Sequence, residues 1–251
     1  MSSRRAVVAG VKVPFLSEEA IEAEAGRLWA ELEQARGGLV EPPVPIEDLI
    51  EKYLGFTLEF DDVRTLGGHD DVLGGTSPHE RLVVIDQTLD PEEHPEQEGR
   101  YRFTLGHEAG HDRLHKRYAP GNPQQPMLPI ETRRLPAILC RTSMAKKPIE
   151  WQANQFSSCL LMPPRLVTDA WYSHFGDTDP RGCRQDDLTS LRSRGYDLPD
   201  EDLTNIVLGW VAREFASVFN VSTQAMRIRL ERMGLLKREL YADLFSAGAA
   251  K

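Results

Sequence analysis

The segment RFTLGHEAGHDRLH, residues 102–115, places three of the chain's seven histidines at intervals of four: His107, His111 and His115. On an α-helix, side chains four apart stand one turn apart on one face, so His107 and His111 can present two imidazoles to a single cation. Glu108 follows the first histidine directly. From there its carboxylate can reach the cation's open position and act as general base toward a water. This pattern points to metal-assisted hydrolysis, with zinc the expected ion and manganese an alternative for a nitrogen and oxygen donor set. His115 differs from the other two. A helix rises about 1.5 Å per residue, so eight residues span about 12 Å, whereas zinc–nitrogen bonds are about 2 Å long. His107 and His115 therefore cannot share an ion on a straight helix, and Leu114 stands where a glycine would have to turn the chain back. His115 is expected to be a partly buried helix-face histidine making a hydrogen bond. A role in supporting the site or touching substrate is the alternative.

A third donor has to come from another element. The run IEWQANQFSSCLLM puts Glu150 and Asn154 on one helical face and Ala153 and Phe156 on an adjoining apolar one. A residue as small as Ala153 lets this helix approach the first closely, and Gly110 leaves matching room on the other side. Taken alone, Glu150 reads as a glutamate favoured by the positive end of a helix. Beside HEAGH it reads as the ligand that completes a His-His-Glu set with water in the fourth position.

The elements that must carry these residues are legible from periodicity and punctuation. Residues 1–16 read as a flexible arm. Ser17 is an N-cap with Glu18 and Glu19 in the first turn, and Ile21, Ala25, Leu28, Trp29 and Leu32 recur at helical spacing until Gly37. A short helix follows before Gly55, then FTLEFDDV as a strand, and VLGGTSPHERLVVID as a strand, a turn and a strand. Together these strands suggest a small antiparallel sheet, and an edge strand within residues 72–85 could hold an extended peptide by strand addition. The chemistry-bearing helix starts near Glu98. Residues 116–148 form a basic, proline-rich loop with one short element around LPAILC. The second helix stops at Pro163 and Pro164, PRLVTDAWY forms another, and residues 174–200 read as polar and turn-rich.

At this point the residues resemble a family. RFTLGHEAGHDRLH followed by EWQANQFSSCLLMPPR is similar to the ImmA/IrrE-type zinc metallopeptidases, whose pattern pairs HExxH with ExxAxxFAxxLLMP. The likeness covers roughly residues 40 to 170. It departs in two places: Ser157 stands where the family usually has alanine, and the linker from Asp112 to Ile149 is long, at 38 residues. The resemblance implies zinc ligands at His107, His111 and Glu150 and a catalytic base at Glu108. It also implies a stress-linked endopeptidase that relieves repression by cutting a partner repressor with a DNA-binding domain. The expected fold is α+β: a mostly helical zincin-like metallopeptidase domain over residues 17–173, and a C-terminal helical region over 174–251 that is helix-turn-helix-like at 203–234. His79, His115 and Tyr118 are candidates for oxyanion stabilisation that the sequence does not rank.

Bulk properties narrow the alternatives. The net charge of -9 argues against a nucleic-acid binder overall. The C-terminal helices hold a small basic excess in Arg213, Arg227, Arg229, Arg232, Lys237 and Arg238, so direct DNA contact stays open but is not favoured over packing or partner recognition. Three cysteines, Cys140, Cys159 and Cys183, fit a reducing compartment, and the absence of CxxC spacing argues against a cysteine-ligated zinc site. Lys12 interrupts the N-terminal apolar run, and no stretch of about 18 apolar residues exists, so neither a secretory signal nor a membrane span is expected and the cytoplasm is the default location. Two competing readings share the motif: a DNA- or partner-binding regulator whose metal site is structural or silent, and a toxin–antitoxin-type protease component.

Overall fold

A computed structural model describes residues 13–67, 70–119, 136, 138–141, 143, 145 and 147–238. The arm at 1–16 and the basic loop at 116–148 lie largely outside the described residues. The chain divides into two units, Met1–Pro163 and Pro164–Lys251.

In the first unit, helix α1 (Glu18–Arg36) begins where the Ser17 hydroxyl accepts from the Ala20 N–H, and it ends at Gly37, whose φ of 71° is the left-handed cap a side chain would disfavour. Its buried stripe of Ile21, Ala25, Leu28, Trp29 and Leu32 is the one the sequence spacing marks. Helix α2 (Ile46–Asp48) runs on as a π-helical turn, Leu49–Tyr53. Strand β1 (Thr57–Asp61), the short helix α3 (Val63–Gly67), β2 (Val72–Ser77) and β3 (Leu82–Asp86) follow. Helix α4 (Glu98–Gly110) continues without a break into a π-helical segment, His111–His115. Strand β4 (Ile138–Arg141) and helix α5 (Pro148–Leu161) complete the unit, with Pro148 at the first turn of α5, where its missing N–H costs nothing.

The four strands form one sheet in the order β1-β3-β2-β4. The sheet is mixed, not antiparallel as the sequence suggests: β1 pairs parallel with β3, while β2 is antiparallel to both β3 and β4. The reason is topological. The chain reverses between β1 and β2 and reverses again in the hairpin turn, so β3 runs with β1. A second correction concerns the edge. Strand β2 is not open for strand addition, because β4 lies along it with Gly74 opposite Cys140 and Thr76 opposite Ile138.

The second unit holds α6 (Pro164–Phe175), α7 (Gln185–Ser193), α8 (Asp200–Phe219) and α9 (Thr223–Arg232), and a two-residue parallel pair of β5 (Arg181–Gly182) with β6 (Leu236–Lys237). Helix α7 falls inside the stretch that reads as turns. Leu188 and Leu191 are buried against Cys183, Leu203 and Val207, too few apolar positions to announce a helix in sequence. Between α8 and α9, Asn220 takes the left-handed conformation (φ 50°), and the Ser222 hydroxyl caps α9 by accepting from the Ala225 N–H.

Candidate metal centre

Two helices, α4 and α5, bring the chemistry together, and small residues let them do so. A β-carbon on Gly110 would lie 3.1 Å from the Ala153 Cα and 3.2 Å from the Phe156 Cβ, inside ordinary contact distance. One turn earlier, a β-carbon on Gly106 would fall 2.5 Å from the Ser157 hydroxyl. That hydroxyl donates to the Phe103 carbonyl at 2.8 Å, so the serine at 157 couples α5 to α4. Trp29 adds α1 to the assembly by donating its indole N–H to the Leu160 carbonyl at 2.8 Å. The result is a dry interface: His107, Glu108, His111 and Glu150 are each no more than 1% exposed.

Within it, His107 Nε2 stands 2.9 Å from His111 Nε2 and 3.2 Å from a Glu150 oxygen, and His111 Nε2 stands 3.7 Å from the other oxygen. Donors around a tetrahedral ion with bonds of about 2.0–2.1 Å are separated by about 3.3 Å, so the two imidazole nitrogens and the Glu150 carboxylate stand at separations close to those such an ion needs.

The hydrogen bonds behind the histidines fix which nitrogen faces inward. The side-chain oxygen of Asn154 lies 2.9 Å from His107 Nδ1 and can only accept, so that nitrogen carries the proton and Nε2 is left as a lone pair. For His111 the hydrogen-bond chain runs through two more residues. Gln152 donates its amide N–H to the Pro14 carbonyl at 2.9 Å, which aims its oxygen at His115 Nε2, also at 2.9 Å. His115 must therefore donate from Nε2 and accept at Nδ1, where His111 Nδ1 donates at 3.0 Å. His111 Nε2 is then also a bare lone pair. Two lone pairs and a carboxylate pointing at one spot repel unless a cation or a proton sits between them.

The titration behaviour follows the same geometry. Burial alone pushes His107 down, but the Cys140 thiol and the Glu150 and Glu108 carboxylates outweigh it and hold its pKa well above the usual histidine range. Burial, then His107 and His115, drive His111 well below that range. A proton on His107 shared toward His111 thus fills the place that a divalent cation would take. Glu108 is pushed up to about 8, mainly by burial and partly by Glu150, with His107 pulling the other way. Among the described residues neither of its oxygens has a hydrogen-bond partner, and Glu150 meets only the histidine nitrogens at 3.2 and 3.7 Å. With the shared histidine proton displaced, the two imidazole nitrogens and the Glu150 carboxylate make up a donor set that fits zinc.

The structure thus brings His107, Glu108, His111 and Glu150 to one place. His115 sits behind His111 with both ring nitrogens engaged, which removes it from the oxyanion candidates. His79 lies in the β2–β3 turn with a buried, unpartnered Nε2, and Tyr118 lies under the Arg117 guanidinium. Sequence reasoning missed Cys140: its sulfur, a His107 nitrogen and a Glu150 oxygen all lie within 4.8 Å of one another. Only the register of β4 on β2 puts it there, so spacing along the chain gave no signal. A separate cleft of about 540 Å³ beside Glu24, Glu31, Arg81, Asp112 and Arg113 contains none of these donors, and its charges satisfy one another, Arg113 with both glutamates and Arg81 with Asp112.

In the C-terminal unit, the basic residues seen in sequence are partly spent. Arg229 is 3% exposed, and Arg227 and Arg238 both pair with Glu231. Among the described residues no helix is long and apolar enough to cross a membrane.

The chain belongs to the M78 peptidase family: the family's IrrE N-terminal-like domain matches residues 63–231, about two thirds of the sequence. No curated protein matches it significantly. Among solved structures, a Mycobacterium tuberculosis transcriptional regulator is similar at 13% identity with a TM-score of 0.43; the match covers 84% of this chain and 46% of that one. The chain therefore spans about half the length of that regulator.

Proposed function

We propose that this chain is a zinc-dependent endopeptidase of the gluzincin type that cuts a partner protein, a transcriptional repressor with its own DNA-binding domain, and so relieves repression. His107, His111 and Glu150 hold the metal, and Glu108 is the catalytic base. Membership of a peptidase family supports hydrolysis. The observation that carries the reading is Glu108, a fully buried carboxylate with no hydrogen-bond partner among the described residues, beside the converging donors. A structural metal site has no need of such a residue, and burying it unpaired costs several kcal/mol; perturbed groups of this kind mark functional sites.

When bound, the ion supplies Lewis-acid polarisation of a scissile carbonyl and acidifies water at its open position. The chain's own residues do the rest. Asn154 holds His107, and the relay through His115 and Gln152 holds His111, each in the tautomer that points Nε2 inward. Glu108 takes a proton from water and returns it to the leaving amine, and its pKa near 8 in the unliganded cluster places it within reach of both protonation states near neutral pH.

The test is incubation of the purified chain with the repressor encoded beside it, with zinc content measured in parallel. Zinc-dependent cleavage that is lost on chelation and in Glu108→Gln supports the proposal. A zinc-loaded wild type that leaves every co-encoded repressor intact would sink it.

A further inference from the structure

We propose that Cys140 is a fourth protein ligand at this metal centre, so that the resting site is closed and the edge strand β4 holds the place along β2 that an extended peptide would take. The inference rests on the metal-binding reading above and adds a regulatory state to the same site.

Three observations carry it. The sulfur of Cys140 belongs to a set of mutually close donors with His107 and Glu150, all within 4.8 Å. Cys140 is 8% exposed and buried with Glu108, neither of whose carboxylate oxygens has a hydrogen-bond partner among the described residues. And β4 is seated antiparallel on β2 with Cys140 opposite Gly74, where no side chain on the facing residue intervenes. A Gly74 β-carbon would meet the Val84 carbonyl at 3.0 Å and the Thr104 methyl at 3.1 Å, so this stretch of β2 is pressed onto β3 and α4.

The chemistry follows from the donor set. Zinc takes four ligands, and a catalytic site keeps one position for water, whereas a site closed by four protein donors has none. His107, His111 and Glu150 fill three positions. A thiolate is a good zinc ligand, and the sulfur of Cys140 lies within 4.8 Å of a His107 nitrogen and a Glu150 oxygen. With Cys140 bound, water is excluded and Glu108 has nothing to deprotonate. Opening requires β4 to leave β2, and an incoming peptide strand that pairs with β2 in its place removes the thiolate in the same movement. Occupancy of the β2 edge and activation of the site are thereby coupled.

The experiment uses the full chain loaded with cobalt(II), which takes four-coordinate nitrogen, oxygen and sulfur sites as zinc does. Expected is one cobalt per chain with a thiolate-to-cobalt charge-transfer band in the near ultraviolet, and loss of that band in Cys140→Ser with the stoichiometry unchanged. As a second readout on unmutated protein, iodoacetamide labelling followed by mass spectrometry should show Cys140 protected with zinc bound and labelled after zinc is stripped. Cys159 and Cys183 serve as internal controls. One cobalt per chain without a thiolate band, or a band that survives in Cys140→Ser, overturns the proposal and leaves the metal-binding reading standing. Failure to bind cobalt at all overturns both.

Discussion

Replacing Gly110 by alanine puts one methyl group into the helix contact on which the proposed metal centre depends. On helix propensity alone the change should stabilise α4 by about 0.8–1.0 kcal/mol. The new β-carbon, however, would meet the Ala153 Cα at 3.1 Å, the Phe156 Cβ at 3.2 Å and the Ala153 carbonyl oxygen at 3.3 Å. Two of those three atoms are backbone and cannot rotate away. Comfortable carbon contacts begin at about 3.5 Å, so α4 and α5 must part by about half an ångström. Overpacking of this kind costs about 1–3 kcal/mol, which leaves a net destabilisation on the order of 1 kcal/mol. The effect on the site is larger. His107 and His111 are on one side of the gap and Glu150 on the other, with the present His107–Glu150 approach at 3.2 Å. Metal–ligand distances tolerate only about 0.2 Å, so the same displacement should weaken zinc binding by about tenfold or more. Thermal denaturation of the zinc-free variant measures the first number, and competition with a chromophoric chelator measures the second. A Gly110→Ala protein more stable than wild type with unchanged zinc affinity would refute the argument that this close approach builds the site.

Other predictions follow from the residues behind the donors. Asn154→Leu removes the acceptor that fixes the His107 tautomer and should cost about 10–100-fold in zinc affinity with the fold intact, measured by the same competition; an unchanged affinity contradicts the assigned tautomer. His115, mainly through burial, has its pKa lowered to about 4 from an unfolded value of 6.5. Its neutral form is the folded form, so its contribution to stability is complete above about pH 6.5 and is lost as pH falls toward 4. At about 1.36 kcal/mol per unit this amounts to roughly 3 kcal/mol in zinc-free protein. Denaturant melts across that range should show the loss in wild type and a smaller one in His115→Gln, and equal slopes for the two would count against the relay. Because His107 holds a proton where the cation would sit, zinc binding should release it, so calorimetry in buffers of different ionisation enthalpy should report proton release near neutral pH.

Much of the site was readable because its signals are local. The HEAGH spacing fixes two imidazoles on one helical face whatever the rest of the fold does, and helix pitch separates His115 from them. The π-helical winding at His111–His115 does not bring His115 to Glu150; it places it behind His111 instead. Gly110 and Ala153 signal a close helix pair because small residues at matching positions have few other uses in a buried interface. What escaped the sequence depends on pairing between distant strands. The parallel match of β1 with β3 comes from the number of chain reversals, which alternation along a single strand does not encode. The position of Cys140 depends on which strand fills the β2 edge, and CxxC spacing is silent about a ligand delivered singly. Helix α7 was hidden because only Leu188 and Leu191 face inward.

The central claim is that Glu108 is a catalytic base beside a metal held by His107, His111 and Glu150. The most direct measurement is metal content and repressor cleavage on the same preparations of wild type and Glu108→Gln. One zinc per chain is expected in both proteins, with cleavage reduced by about 10²–10⁴-fold in the variant. Equal cleavage by the two proteins, or loss of zinc from Glu108→Gln, would contradict it.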